Sequence, residues 1–322
     1  MKLDAHSINQ AYSYFYEQLT MHLPGVWEQE YAALWAEEGR FLPAAVNLDL
    51  GTDSITSYQF EGVGEGVEIS DLADDIPMVA LTQDKETYNV KHFALSYGYS
   101  IFDLAKQAKA GVNLNTQKIS LTDRGLRQMV HNQILFGVSA PGKTNRRGLT
   151  GLFNNPNVPI QATGYNPNTA TWDDNIQFLL KEITKVAQRN ELSAGISYVL
   201  TDSAHMYSMS HEFKDGINIK TAMEGILRDN FPTFQGIFAV PECSPEKLEL
   251  FGIKPQGTNQ TRMILMPEDS NIISHARMSP TFLDPERRGV TFKVAAIHGT
   301  SELMIHRPQE MAYVDFPRFN MN

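Results

Sequence analysis

Polar and apolar residues alternate roughly over residues 55–60 and again over 87–95, and between the two runs lie Gly62, Gly64, Gly66 and a stretch rich in acid. A period of two marks a half-buried strand. The pattern therefore predicts a long two-stranded hairpin with a glycine-rich, acidic tip. From Asn113 the period changes, with Ile119, Leu126, Val130 and Ile134 at i, i+7, i+11 and i+15, while Lys118, Arg124 and Arg127 mostly face elsewhere. This predicts a helix of about 20 residues, roughly 30 Å long, stopped at Gly137.

After an Asn- and Pro-rich junction, Thr171-Trp172-Asp173-Asp174 reads as a capping-box-like helix start, followed by Ile176, Leu179, Leu180, Ile183 and Val186 on one face. Short strands are expected at 197–200, 236–240, 262–266 and 272–275, interleaved with helices near 203–211 and 221–228. That alternation predicts an α/β or α+β layer. Strand character returns at 290–297, 302–305 and on to Tyr313, with pairing to the first unit expected. Residues 1–40 mix Tyr12, Tyr14, Phe15, Tyr16, Trp27, Tyr31 and Trp35 with polar residues around the break at Pro24-Gly25. Such a stretch folds poorly alone and reads as an arm that lies on something else.

The charges are sorted along the chain. Between Arg40 and Lys85 there is no basic residue but nine acidic ones, Asp49, Asp53, Glu61, Glu65, Glu68, Asp71, Asp74, Asp75 and Asp84, in a protein whose net charge is −10. Residues 85–147 reverse the sign, with ten basic side chains against Glu86, Asp103 and Asp123. A subunit that lies on a copy of itself gains complementarity and register from such sorting. Self-assembly is the first implication.

With 322 residues, 42% hydrophobic and 20% charged, the chain has the composition of a globular protein with material for two compact units. The net negative charge argues against a surface built to grip nucleic acid tightly. Cys243 is the only cysteine, so neither a disulfide framework nor a thiolate metal cluster is expected. Lys2, Asp4, His6 and Glu17 interrupt the N-terminus, and no signal peptide is expected. The uncharged run 148–172 has membrane-span length but is filled with Asn, Pro, Gly and Thr, whose polar groups lipid cannot satisfy.

Candidate chemistry is sparse. Gly62-Val63-Gly64-Glu65-Gly66-Val67 lacks the third glycine of a dinucleotide loop and carries an acid where a pyrophosphate would approach, so a hairpin bend is the preferred reading. His205 and His211, six apart, fall on different helical faces, and His298 and His306 are eight apart in expected strand. Asp202-Ser203-Ala204-His205 offers an acid, a hydroxyl and a base, but no glycine-flanked nucleophile turn accompanies it. Asp202 and Ser203 read as helix-start residues. The aromatics of residues 12–35 lack the interleaved cations of a base-stacking surface.

The acidic hairpin and basic helix lead into Arg147-Gly148-Leu149-Thr150-Gly151-Leu152-Phe153-Asn154-Asn155-Pro156-Asn157-Val158. Upstream stand Tyr97-Gly98-Tyr99-Ser100-Ile101-Phe102-Asp103-Leu104 and Gly111-Val112-Asn113-Leu114. This succession resembles the major capsid proteins of tailed bacteriophages, with their Hong Kong 97-type fold, and the upstream residues resemble the helix that leads into that family's spine. The resemblance covers most of the chain in layout and is sharpest at Gly-Leu-x-Gly-Leu-x-Asn-x-Pro-Asn-Val.

It implies an α+β fold with an N-terminal arm (1–48), an extended hairpin loop (49–94), a peripheral domain holding a spine helix (95–158 and 286–322) and an axial domain (159–285). It also implies a structural protein without active site, metal or cofactor. Such a protein forms hexamers and pentamers of an icosahedral head around double-stranded DNA, which it encloses without sequence specificity and without a membrane. Residence in the virion, assembly in the host cytoplasm, and portal, scaffolding and decoration proteins as further candidate partners belong to the same implication.

The chain departs from the family pattern in lacking a long charged scaffolding segment at its N-terminus, and nothing marks Lys85 or Lys91 as a cross-linking residue. The expected contacts between subunits join Glu61, Glu65, Glu68, Asp71, Asp74 and Asp75 of one copy to Arg124, Arg127, Arg146 and Arg147 of the next. The alternatives are an encapsulin-like nanocompartment shell and a soluble α/β hydrolase using Ser203 and His205.

Overall fold

The alternating runs do pair as a hairpin, and its second strand continues well past the pattern. A computed structural model describes residues 34–63, 80–102, 114–143, 149–161, 163–189, 195–211, 213–257 and 259–320. In chain order the main elements are α1 (Trp35–Glu38), β1 (Ala44–Asn47), β2 (Ser54–Val63), β3 (Ala80–Ser100), α2 (Leu114–Phe136), β4 (Ile160–Gln161), α3 (Trp172–Arg189), β5 (Tyr198–Thr201) and α4 (Ser203–His211). They continue with β6 (Phe213–Lys214), β7 (Ile217–Asn218), α5 (Ile219–Asn230), β8 (Gly236–Ala239), α6 (Pro245–Leu250), β9 (Gln260–Met266), β10 (Ile273–Phe282), β11 (Glu286–Arg288), β12 (Thr291–Ser301), β13 (Met304–Ile305) and β14 (Ala312–Pro317). The arm aromatics before residue 34, the hairpin tip 64–79 and residues 103–113 and 144–148 lie outside the described residues.

β2 and β3 pair antiparallel from Ser54↔Asn89 to Val63↔Ala80. Beyond Asn89, β3 changes partner and pairs with β12 from Val90↔Ser301 to Ser100↔Thr291. It is thus one strand of 21 residues, about 70 Å long at roughly 3.3 Å per residue. The expected loop boundary after residue 94 falls inside it, and the change of partner after Asn89 is the physical boundary. The first sheet has the order β1-β10-β12-β3-β2, with β11 on β12 and β13 on β10.

α2 packs on β3 and β12. Leu126, Val130 and Ile134 are fully buried as the heptad-like spacing predicts, but Ile119 is exposed. The first turns run past the packed region, so residues 119–121 are exposed while 130–138 are buried.

The second sheet has the order β4-β14-β9-β5-β8. Its inner strands β14, β9 and β5 are buried on both faces and so read as continuous apolar runs rather than alternating ones. In β9, Met263 and Leu265 join the core under α3 and α5 with Ile176, Leu179, Ile183 and Met223. Ile264 and Met266 point the other way, into the core that holds Val130, Ile134, Phe136 and Phe153. The predicted cap of α3 forms: Thr171 N donates to Asp174 Oδ2 at 2.9 Å and Asp174 N donates to Thr171 Oγ1 at 3.3 Å.

Strand pairing differs from the expected division in three places. Residues 34–48, expected in the arm, are built into the body: Trp35, Phe41 and Leu42 are buried, and Phe41 packs edge-on against Trp35 and Tyr198 at 5.3 and 5.2 Å. β10, in the stretch expected to be axial, lies in the first sheet beside β12. β14, expected with the peripheral strands, inserts between β4 and β9 and buries Tyr313, Val314 and Phe316 there.

Candidate functional site

A two-stranded ribbon has no core of its own and is marginal in water. The part of the β2–β3 hairpin beyond the sheet is such a ribbon: residues 83–87 are all exposed and Tyr58 is 53% exposed. Among the expected contact residues, Glu61 lies on this ribbon, opposite Thr82 in the register. Glu65, Glu68, Asp71, Asp74, Asp75, Arg146 and Arg147 lie outside the described residues.

Arg124 and Arg127 lie on α2. Arg127 is engaged within its own subunit, with Nε donating to Asp123 Oδ2 at 2.8 Å and Nη1 reaching Glu37 Oε2 at 3.1 Å. Glu37 is buried and also faces Arg277 at 3.8 Å and His298 Nε2 at 3.6 Å. Burial works to raise its pKa, but the neighbouring His298 and the positive charge and hydrogen bonds of Arg127 hold it below the usual carboxylate range. Arg127 thereby fastens α1 to the spine helix.

The described part of the glycine-leucine segment, residues 149–154, acts as the C-cap of that helix. The last turn of a helix leaves carbonyls without partners. Here Leu152 N donates to Ile134 O at 3.0 Å, Phe153 N to Leu135 O at 2.9 Å, and Asn154 Nδ2 to Phe136 O at 3.0 Å. The chain leaves the helix at Gly137, where φ is +70°, and a Cβ on Gly151 would stand 2.4 Å from Leu135 O. Both glycines are required by this close approach.

The second sheet grips the same segment. Arg262 forms two hydrogen bonds to Asp315, each at 2.8 Å, and donates to Phe153 O at 2.7 Å, while Tyr313 Oη donates to Leu152 O at 2.6 Å and accepts from Asn155 N at 3.2 Å. Arg262, Asp315 and Tyr313 are buried. Sequence spacing gave no sign of this clamp, because its partners are up to 161 residues apart.

The hydrolase alternative finds no geometry. Ser203 is exposed, whereas His205 is buried, and its ring is held by Thr201 Oγ1 at 2.9 Å and Tyr165 Oη at 3.1 Å. Tyr165 Oη donates to Asn175 Oδ1, so His205 Nε2 donates to Tyr165 and Nδ1 accepts from Thr201. Burial pushes the His205 pKa down to about 3. The imidazole is a neutral packing element. Among the described residues no group of three or more His, Cys, Asp or Glu side chains is placed to hold a metal ion, and no helix is long and apolar enough to cross a membrane.

Comparison with known proteins adds an independent line. A family model described as major capsid protein matches residues 66–316. No curated protein matches the chain. Among solved structures, the chain is similar to the capsid of Myoviridae phage XM1, with 14% identity and a TM-score of 0.72 over 93% of this chain and 97% of that one. It is also similar to a structure from Mycobacterium phage Ogopogo (13%, 0.59, 98% and 100%) and to the capsid of a native GTA particle (9%, 0.60, 94% and 96%). At these identities the likeness is one of fold, and the fold is the α+β, Hong Kong 97-like one that the sequence resembles.

Proposed function

Since this chain belongs to the major capsid protein family, we propose that it assembles into hexamers and pentamers of an icosahedral head that encloses double-stranded DNA. Its seat is the virion, and assembly takes place in the host cytoplasm. The observation that carries the mechanism is the β2–β3 ribbon, whose residues 83–87 are all exposed with Tyr58 at its surface, and which a second copy can cover. The acidic tip, with Glu65, Glu68, Asp71, Asp74 and Asp75, supplies negative charge for a basic neighbour surface that includes Arg146 and Arg147. Residues 1–33 clasp an adjacent subunit.

An exposed ion pair contributes only about 0 to 1 kcal/mol, so charge sets register. Apolar burial, at roughly 25 cal/mol per Å², supplies most of the adhesion. Contacts to several neighbours then multiply weak pairs into a stable shell.

Hydrogen exchange tests the ribbon's role. Amides on the outer edges of residues 54–63 and 80–89 should exchange rapidly in the free subunit and become protected in the assembled particle. Equal protection in both states would make the ribbon an intramolecular element.

A further inference from the structure

We propose that the hollow between the end of the spine helix, the segment 154–160 and the turn after α6 is a binding site for the phosphate group of an organic ligand.

The hollow has a volume of about 900 Å³, within the range of small-molecule sites. In a chain whose net charge is −10, no Asp or Glu lines it, whereas Lys143 and Lys254 both do. Both lysines are exposed, and neither has an ion-pair partner among the described residues. Asn155, only 9% exposed, lines the same hollow. Its Oδ1 accepts from Asn157 N at 2.9 Å, which fixes the orientation of the amide. The Nδ2 donors then have no partner among the described residues and are left for whatever the hollow holds.

The groups that would repel an anion are covered or spent. A helix C-terminus presents negative carbonyls, and two such ends meet here. Those of α2 are capped by Leu152 N, Phe153 N and Asn154 Nδ2. In α6, Leu248 O accepts from Ile253 N at 2.8 Å and Glu249 O from Gly252 N at 2.9 Å. Asp315 is held by Arg262, and buried Glu310 pairs with Arg307 at 3.3 Å. Glu246 and Glu249 line the adjoining hollow that shares Ile253 and Lys254, and Glu246 pairs with Arg318. Glu249 is left as a single negative charge against two lysines.

Two ammonium groups and an amide donor, with no acceptor competing for them, fit a phosphate, whose oxygens accept several bonds and which Lys binds as a point charge. Ile160, 41% exposed, and half-buried Phe251 give the body of the ligand an apolar bed. A free mononucleotide and a nucleic-acid strand both offer such a phosphate, and the test separates them.

Calorimetric titration of the free subunit at low salt, with inorganic phosphate, AMP and a short oligothymidylate as probes, reads the site, and the shift of the urea midpoint with each probe checks it. Wild type should bind, and more weakly as salt rises. K143E/K254E should lose affinity by about tenfold or more. K85E/K293E makes the same change of net charge on exposed lysines of the first sheet and should bind like wild type. Both variants should keep the wild-type circular dichroism. Binding of AMP and inorganic phosphate would assign the site to a small ligand, and binding of the oligothymidylate alone to a nucleic-acid backbone. No binding of any probe would overturn the site, as would wild-type affinity in K143E/K254E or an equal loss in both variants.

Discussion

Replacing Arg262 by Met should destabilise the free subunit by about 3 to 5 kcal/mol, the usual cost of leaving one partner of a buried ion pair alone. The guanidinium satisfies both oxygens of buried Asp315 and the Phe153 carbonyl, and lies 4.7 Å from the centre of the Tyr313 ring. Without it Asp315 keeps one described donor, Gln256 N at 3.0 Å. An R262M/D315L double variant should recover most of the loss, because two apolar side chains bury no unpaired charge. Urea unfolding of the free subunit measures both. A loss below about 1 kcal/mol for R262M, the worth of an exposed pair, would show that the clamp is not closed in solution.

Acid should unfold the subunit through two buried imidazoles. Burial pushes His205 down to about 3, and burial together with the charge of Arg277 pushes His275 down to about 4. Above pH 6.5 both are neutral in the folded and unfolded chain and contribute nothing to the pH dependence. Below it the unfolded chain takes up protons that the folded chain refuses, and stability falls by about 1.4 kcal/mol per pH unit for each group.

By pH 4.5 the two together cost roughly 5 kcal/mol. Glu37 and Glu242, both held below the usual carboxylate range, add to the loss at lower pH, while Asp202, raised by burial, works against it. Unfolding free energies at pH 7.5 and 4.5 measure the effect, and a variant with Gln at both positions should lose most of it. A flat profile between those values in the wild-type subunit would mean that the imidazoles reach solvent.

What was legible in the sequence was local. The 3.6 period placed α2, Thr171 and Asp174 placed the start of α3, and the period of two found both strands of the hairpin, because each signal lies within a few residues of the element it makes. The continuation of β3 to Ser100, where the resemblance implied a helix from Tyr97, was hidden since its partner changes from β2 to β12, and no local pattern records a partner. β14 was assigned to the wrong sheet for the same reason: its neighbour β9 is about 50 residues earlier. The Gly-Leu-x-Gly-Leu motif was recognisable as a resemblance, but its work as a helix cap depends on Arg262, Asp315 and Tyr313, which nothing in their spacing connects to it. The charge sorting was visible at once. That Arg127 spends its charge on Glu37 needed the fold, because Glu37 lies 90 residues away.

Electron microscopy of the purified protein tests the central claim most directly. The account predicts closed particles of uniform size, built of six-fold and five-fold capsomers, under some condition of salt, concentration or added scaffolding protein. A stable monomer under all of them would contradict it.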